Sequence, residues 1–218
     1  MQDFFYLISA HIRSGGVVMY PILGVSFVMW VLIFNRVLFL HRLYVKNIPR
    51  SDAGALVRNN QWPGEKYRGA NAFLVREFLA RRSTLPGHDP GLDENILDEA
   101  VMSVNASLDR YLSVIAVLSA VAPLMGLLGT VVGMMHTFEV ITMFGTGNVR
   151  AMASGISVAL VTTQTGLMIS IPGLYMSGWL NRRAENLKHR IAATGIYLKR
   201  YLTPVSQADQ APDQEASH

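Results

Sequence analysis

The sequence predicts an all-α membrane protein: three transmembrane helices, with the second and third extended into a cytoplasmic helical stalk. Three observations carry that reading. No charged residue lies between Arg13 and Arg36, between Arg110 and Glu139, or between Arg150 and Arg182. Each gap exceeds the roughly 20 residues a helix needs to cross a bilayer, whereas a soluble helix of that length carries a charged face. Half of the 218 residues are apolar. The helical spacing of apolar residues in the second and third stretches also runs on into charged sequence. One such gap would fit a buried core helix of a soluble domain; three hardly would.

In chain order, residues 1–15 are expected to form a periplasmic interfacial helix, with Phe4, Phe5, Leu7, Ile8 and Ile12 interspersed among polar groups. A signal peptide places its cations before the apolar run. Here Arg36, Arg42, Lys46 and Arg50 follow it, so the first span stays in the mature protein, with the N-terminus periplasmic. Transmembrane helix 1 covers 16–40. With few central hydroxyls, it suits a lipid-facing, peripheral position. Residues 41–110 form a cytoplasmic helical loop with ten Lys and Arg against nine Asp and Glu. Trp62-Pro63-Gly64 and Leu85-Pro86-Gly87 mark turns. Between them Phe73, Leu74, Phe78 and Leu79 predict a helix over Asn71–Arg82. Pro90-Gly91 reads as a stop, and Asp93 as the cap of the next helix.

Leu97, Val101, Val104, Leu108, Tyr111 and Ile115 recur at steps of three and four. They predict one unbroken helix from about Asp93 to about Phe144, containing transmembrane helix 2 at 111–138. A periplasmic turn follows at 139–153, then transmembrane helix 3 at 154–180. Trp179, Leu180, Leu187, Ile191 and Leu198 carry that helix on to about Tyr201, within a cytoplasmic segment 181–218 whose polar tail is expected to be disordered. Most Lys and Arg lie in the loop and the C-terminal segment, which places the C-terminus in the cytoplasm.

Composition excludes several classes. There is no cysteine, hence no thiol or disulfide chemistry. The net charge of +4 sits beside the apolar spans, which suits lipid head groups and not nucleic acid. No catalytic constellation, phosphate-binding loop or cofactor motif is present, so no enzyme and no cofactor is expected. His136 and Glu139 are three apart but lack further ligands at a metal-binding spacing. No Asp, Glu, Lys or Arg lies in the middle of any span. A proton path needs an ionisable group at depth, so this chain is not a complete proton channel by itself.

The hairpin formed by the last two spans carries the informative residues. Thr130 and Thr137 are seven apart on one helix. Thr162, Thr163, Gln164 and Thr165 cluster on the other, with Ser170 seven beyond Thr163. Such hydroxyls either bond back to their own helix or mark a face turned to protein or water. Gly129 and Gly133 form a GxxxG pair for close packing, and Gly126, Gly155 and Gly166 suit the same task. Pro123 and Pro172 remove helix hydrogen bonds and favour bends, with the freed carbonyls bonded by neighbouring hydroxyls.

Ala122-Pro123-Leu124, the run Gly126 to Gly133, Gly155-Ile156-Ser157, Ala159-Leu160, Thr162-Thr163, Gly166-Leu167 and Ile171-Pro172 together resemble the MotA/TolQ/ExbB family, most nearly its ExbB and TolQ branch. The resemblance implies a subunit of a homo-oligomeric ring, commonly a pentamer, in the bacterial inner membrane. A small single-span ExbD- or TolR-like protein inside the ring would bring an intramembrane Asp. Proton-motive force would then drive work on a TonB- or TolA-like protein, for outer-membrane uptake or envelope maintenance. Threonines matching Thr130 and Thr163 line the pore in such proteins; the expected lining here adds Thr162, Thr137 and Ser170. Some relatives have a glutamate where this chain has Val158. A gliding-type or other envelope motor, or a non-conducting scaffold, remains the alternative.

Overall fold

The computed structural model describes residues 14–44, 48–64, 67, 69–84 and 90–202. The expected interfacial helix up to residue 13, the Leu85-Pro86-Gly87 turn and the tail beyond residue 202 therefore lie outside the described residues. The elements are α1 (Met19–Tyr44), α2 (Arg50–Arg58), α3 (Ala70–Arg82), α4 (Pro90–Asp109), α5 (Leu112–Phe144), a 3-10 turn (Gly145–Gly147) and α6 (Val149–Leu202). Among the described residues there is no strand. Three helical stretches are long and apolar enough to cross a membrane. The chain is an all-α membrane protein with three transmembrane helices. It divides into two compact units, one comprising the chain through Arg36 with Tyr111–Leu180, the other comprising Val37–Arg110 with the chain from Asn181 onward.

In the apolar unit, α5 buries Leu112, Ile115, Ser119, Ala122, Gly126, Gly129, Gly133, Thr137 and Val140. These fall three or four residues apart, on one helix face. α6 buries Gly155, Ala159, Thr162, Gly166, Ser170 and Gly173 at the same spacing. The two faces meet antiparallel, Gly133 against Gly155 and Ala159, Gly166 against Ala122. Leu124, Leu127, Val131, Leu160 and Ile171 point outward and stay exposed, as suits side chains that meet lipid or another chain. Gly145, at φ +64°, ends α5 in a backbone region glycine enters without penalty. The link between α5 and α6 is only 145–148, most of it the 3-10 turn, so Glu139 and Arg150 lie on the α-helices. α1 buries Met19, Ile22, Met29 and Ile33 and exposes Tyr20, Phe27, Trp30 and Phe34.

In the second unit, α4 starts at Pro90, three residues before the expected cap, because proline suits the first helical position, where no N–H is needed. Asp93 pairs with Arg82 at 2.8 Å and so ties α4 to α3. The expected single helix is two. α4 ends at Asp109 and α5 begins at Leu112, with Tyr111 left-handed at φ +66°. That one residue shifts the helix face: Leu112 takes the buried place, and Tyr111 is 40% exposed. The end of α6 runs antiparallel to α4, with Lys188 on Asp109 at 2.7 Å and Lys199 on Asp98 at 3.1 Å and Glu94 at 3.3 Å. The hydrogen bond to Asp109 holds Lys188 above the ordinary lysine range. A raised pKa contributes stability below that range and loses it as pH rises through the folded-state value, so this tie should persist across neutral pH. Melting curves that fell between pH 6 and 8 on its account would contradict it.

The helix α2 is not evident in the sequence. Its nine residues, RSDAGALVR, are too few and too polar to show a period. Asn71, at the start of α3, joins three segments: its amide donates to the Ile48 carbonyl at 2.8 Å, and its oxygen accepts from Thr194 at 3.1 Å. Both bonds are buried. Asn71→Ala should lower stability by about 1–3 kcal/mol by orphaning buried polar groups. A thermal melt of the purified chain measures it; a wild-type midpoint would mean the bonds are replaced by water.

Candidate functional site

The hairpin is built on absent side chains. A Cβ on Gly133 would lie 2.7 Å from both the Ala159 nitrogen and the Gly155 oxygen, and one on Gly166 would lie 2.7 Å from the Ala122 oxygen. A Cβ on Gly126 would meet the Thr162 oxygen at 3.0 Å, one on Gly129 the Thr162 side chain, and one on Gly155 that of Thr137. At each site backbone or a buried hydroxyl occupies the space a side chain would need, so the two helices touch at main-chain distance.

The hydroxyls divide into two sets. Thr162, Thr137 and Ser170 are 0%, 3% and 3% exposed and lie between the chain's own helices. Thr137 donates to the Gly133 carbonyl at 3.0 Å, and Thr162 is within bonding distance of those of Val158 and Ala159 at 2.9 and 3.0 Å. Thr130 and Thr163 are only half-buried. Thr130 donates to the Leu127 carbonyl at 2.6 Å. Thr163 shares its proton between the Ala159 carbonyl, 3.1 Å away, and that of Gly126 on the opposite helix, 3.2 Å away.

Thr130 follows the interface residue Gly129, and Thr163 follows Thr162. On antiparallel helices, residues one step beyond the contact line turn to the same side, about 100° round each axis. Thr130 and Thr163 therefore share one side of the hairpin. Val158 precedes the interface residue Ala159 and turns to the other, where a Cβ on Gly16 would touch it at 3.4 Å. There Val158 lines an apolar cavity of about 420 Å³ with Gly16, Val17, Val18, Val132 and His136. The segment that leads into α1 covers the Val158 side.

Both prolines lie inside helices that continue through them. Pro123 has no N–H to give the carbonyl four residues earlier, which is that of Ser119. The Ser170 hydroxyl donates to that carbonyl at 2.8 Å. Sequence pattern alone does not single out Ser119, although counting four residues back from Pro123 finds it. Ser170→Ala should cost about 1–3 kcal/mol, since it strands a buried acceptor; a melting midpoint equal to wild type would show that the carbonyl finds another donor.

His136 and Glu139 approach to 3.8 Å on the outer surface of α5, both more than half exposed. Among the described residues no group of three or more His, Cys, Asp or Glu could hold a metal ion.

The profile of the MotA/TolQ/ExbB proton channel family matches residues 68–193, from just before α3 to well into α6. The chain belongs to this family. Relatives bear ExbB-type names. The putative biopolymer transport protein ExbB-like 3 of Synechocystis is 32% identical over 167 residues, 74% of this chain and 79% of that protein. ExbB-like 1 of the same organism is 31% identical over 191 residues, 85% and 75%. The biopolymer transport protein ExbB of Salmonella typhimurium is 28% identical over 181 residues, 78% and 74%. Within the MotA/TolQ/ExbB family this chain sits near the ExbB proteins: a multi-pass membrane component of a proton-channel, energy-transducing motor, in a transport family and not an enzyme class. The family match contains the whole glycine-packed hairpin and stops short of α1.

Proposed function

We propose that the chain forms a homo-oligomeric ring, commonly a pentamer, in the bacterial inner membrane, with α5 and α6 facing a central pore and α1 at the periphery. A small single-span ExbD- or TolR-like protein occupies the pore and supplies the titrating Asp. The motion this drives is passed to a TonB- or TolA-like protein, for uptake across the outer membrane or for envelope maintenance. The observation that carries this reading is the position of the half-buried Thr130 and Thr163 on one side of the hairpin, the side away from Val158. They are the lining groups in this proposal. Thr137, Thr162 and Ser170 stand behind them, where their burial suits holding the helices together.

The chemistry follows from the hydroxyl. Thr163 gives its proton to backbone carbonyls and keeps lone pairs that can accept from a protonated carboxyl. By rotating it can instead donate to the ionised form. Val158 leaves the ring without a carboxylate at that position, so the partner's Asp titrates alone. The boundaries 16–40, 111–138 and 154–180 for the spans, with the N-terminus periplasmic and the C-terminus cytoplasmic, belong to the same proposal.

Native mass spectrometry of the gently extracted complex, co-expressed with its genomic neighbours, tests it. The expected result is a ring of this chain holding a single-span protein with one intramembrane Asp. A chain that emerges without such a partner would overturn the motor reading in favour of a non-conducting scaffold.

A further inference from the structure

Gln164 stands near the centre of the uncharged stretch between Arg150 and Arg182, the only side-chain amide there apart from Asn181 at its end. It is exposed, and among the described residues it has no hydrogen-bond partner. The hydroxyls of Thr130, Thr163 and Thr165, by contrast, donate to backbone carbonyls. Gln164 lies two residues beyond Thr162, which is wholly buried, so it points about 200° further round, to the back of α6. With Leu160, Met168 and Ile171 it makes an exposed row at steps of three and four. The row is apolar except for the amide. Hydrocarbon would leave the donors and the acceptor of that amide unmet, which is costly, so lipid does not suit it. Water suits the amide and not the residues around it. An apolar row with one polar group at its centre fits a helix–helix contact, in which the polar group fixes the height.

The amide selects the occupant. It carries two N–H donors and one carbonyl acceptor on a single plane. A protonated carboxyl matches it edge to edge, giving its O–H to Oε1 and accepting from Nε2. An ionised carboxyl accepts from Nε2, and no Lys or Arg lies in the middle of any span to serve instead. A second copy of the chain matches less well. The protons of Thr130, Thr163 and Thr165 are in use, and a ring contact joins unlike surfaces, so one Gln164 does not meet another. We propose that the row Leu160, Gln164, Met168 and Ile171 seats a transmembrane helix that carries a carboxyl group, with the Gln164 amide bonded to that carboxyl. The proposal rests on the motor reading above, in which the single-span partner brings the intramembrane Asp. Thr163 points about 100° to one side of Gln164, so a helix lying along α6 between the two directions touches both.

The test uses the full chain co-expressed with its genomic neighbours and reconstituted in vesicles. Gln164→Met, similar in length but apolar, should leave the assembly intact by native mass spectrometry, since the amide has no bond within the chain. Proton flux should fall roughly tenfold, as the loss of one hydrogen bond to a charged group allows. The pH profile of the remaining flux should move upward. A bond to a carboxylate is stronger than one to a carboxylic acid, so removing the amide favours the protonated form. Leu160→Met on the same row should change neither flux nor profile. Wild-type flux and profile in Gln164→Met, or an equal shift in Leu160→Met, overturns the proposal. The chain has no cysteine, so Gln164→Cys reports on its own surroundings. Oxidation should join it to the partner carrying cysteine in place of its Asp. A disulfide between two copies of this chain instead would assign the row to the ring contact and overturn the proposal. If wild type conducts and holds its partner while these arms fail, the motor stands without this contact; if wild type holds no such partner, both fall.

Discussion

Thr163→Val is expected to abolish proton-coupled activity while leaving the protein folded and assembled. Valine has nearly the shape of threonine, so the helix contact at Gly126 is kept. Neither carbonyl that accepts from Thr163 is orphaned by the change. The Ala159 oxygen is also the regular helix acceptor for residue 163, and the Gly126 oxygen that for residue 130. The loss to the fold is therefore only about 1 kcal/mol, that of an ordinary hydrogen bond. The loss to function is complete, because a methyl can neither donate to a carboxylate nor accept from a carboxylic acid. Proton flux into vesicles containing the chain and its partner measures the first expectation, and the mass of the extracted assembly the second. Thr163→Ser should restore flux. Full flux through the valine variant would remove Thr163 from the pathway.

Gly133→Val should prevent the hairpin from closing. Even the first added carbon would sit 2.7 Å from main-chain atoms of Gly155 and Ala159, which no side-chain rotation can relieve. The helices would have to separate along their length, and every close contact from Gly126 to Gly166 would loosen with them. Overpacking of this kind costs about 1–3 kcal/mol in cores that can adjust and more where backbone is the obstacle, so little folded protein should accumulate in membranes. At Gly24 and Gly178 a Cβ would meet nothing within 4 Å, and Gly24→Ala and Gly178→Ala should be tolerated. Wild-type levels of folded Gly133→Val would mean that the helices do not pack as closely as described.

The sequence makes the spans legible because lipid imposes a simple demand: about 20 residues without charge. Arg36, Arg110, Glu139, Arg150 and Arg182 bound the uncharged stretches. The break at Tyr111 is not legible, because helical spacing reports which face is buried and not the dihedral angle of any one residue; Tyr111 fits the apolar row, and Leu112 takes the place. The glycines can be picked out as packing residues, since few other roles suit them inside a lipid-spanning helix. Which hydroxyls turn inward cannot. Thr162 and Thr163 are neighbours of the same type, and only the position of Gly129 and Gly126 on the facing helix separates the buried one from the half-exposed one.

The bond from Ser170 to the Ser119 carbonyl has a mechanical meaning. Pro123 creates a single acceptor at one height on α5, and one hydroxyl on α6 fills it. It acts as a locating pin: sliding one helix along the other by a single residue, about 1.5 Å, would pull the hydroxyl from its seat and press the glycine contacts onto bulkier neighbours. Relative travel of the two helices is thereby opposed. In the proposed motor, displacement is taken up more readily by the hairpin tilting or turning as one piece.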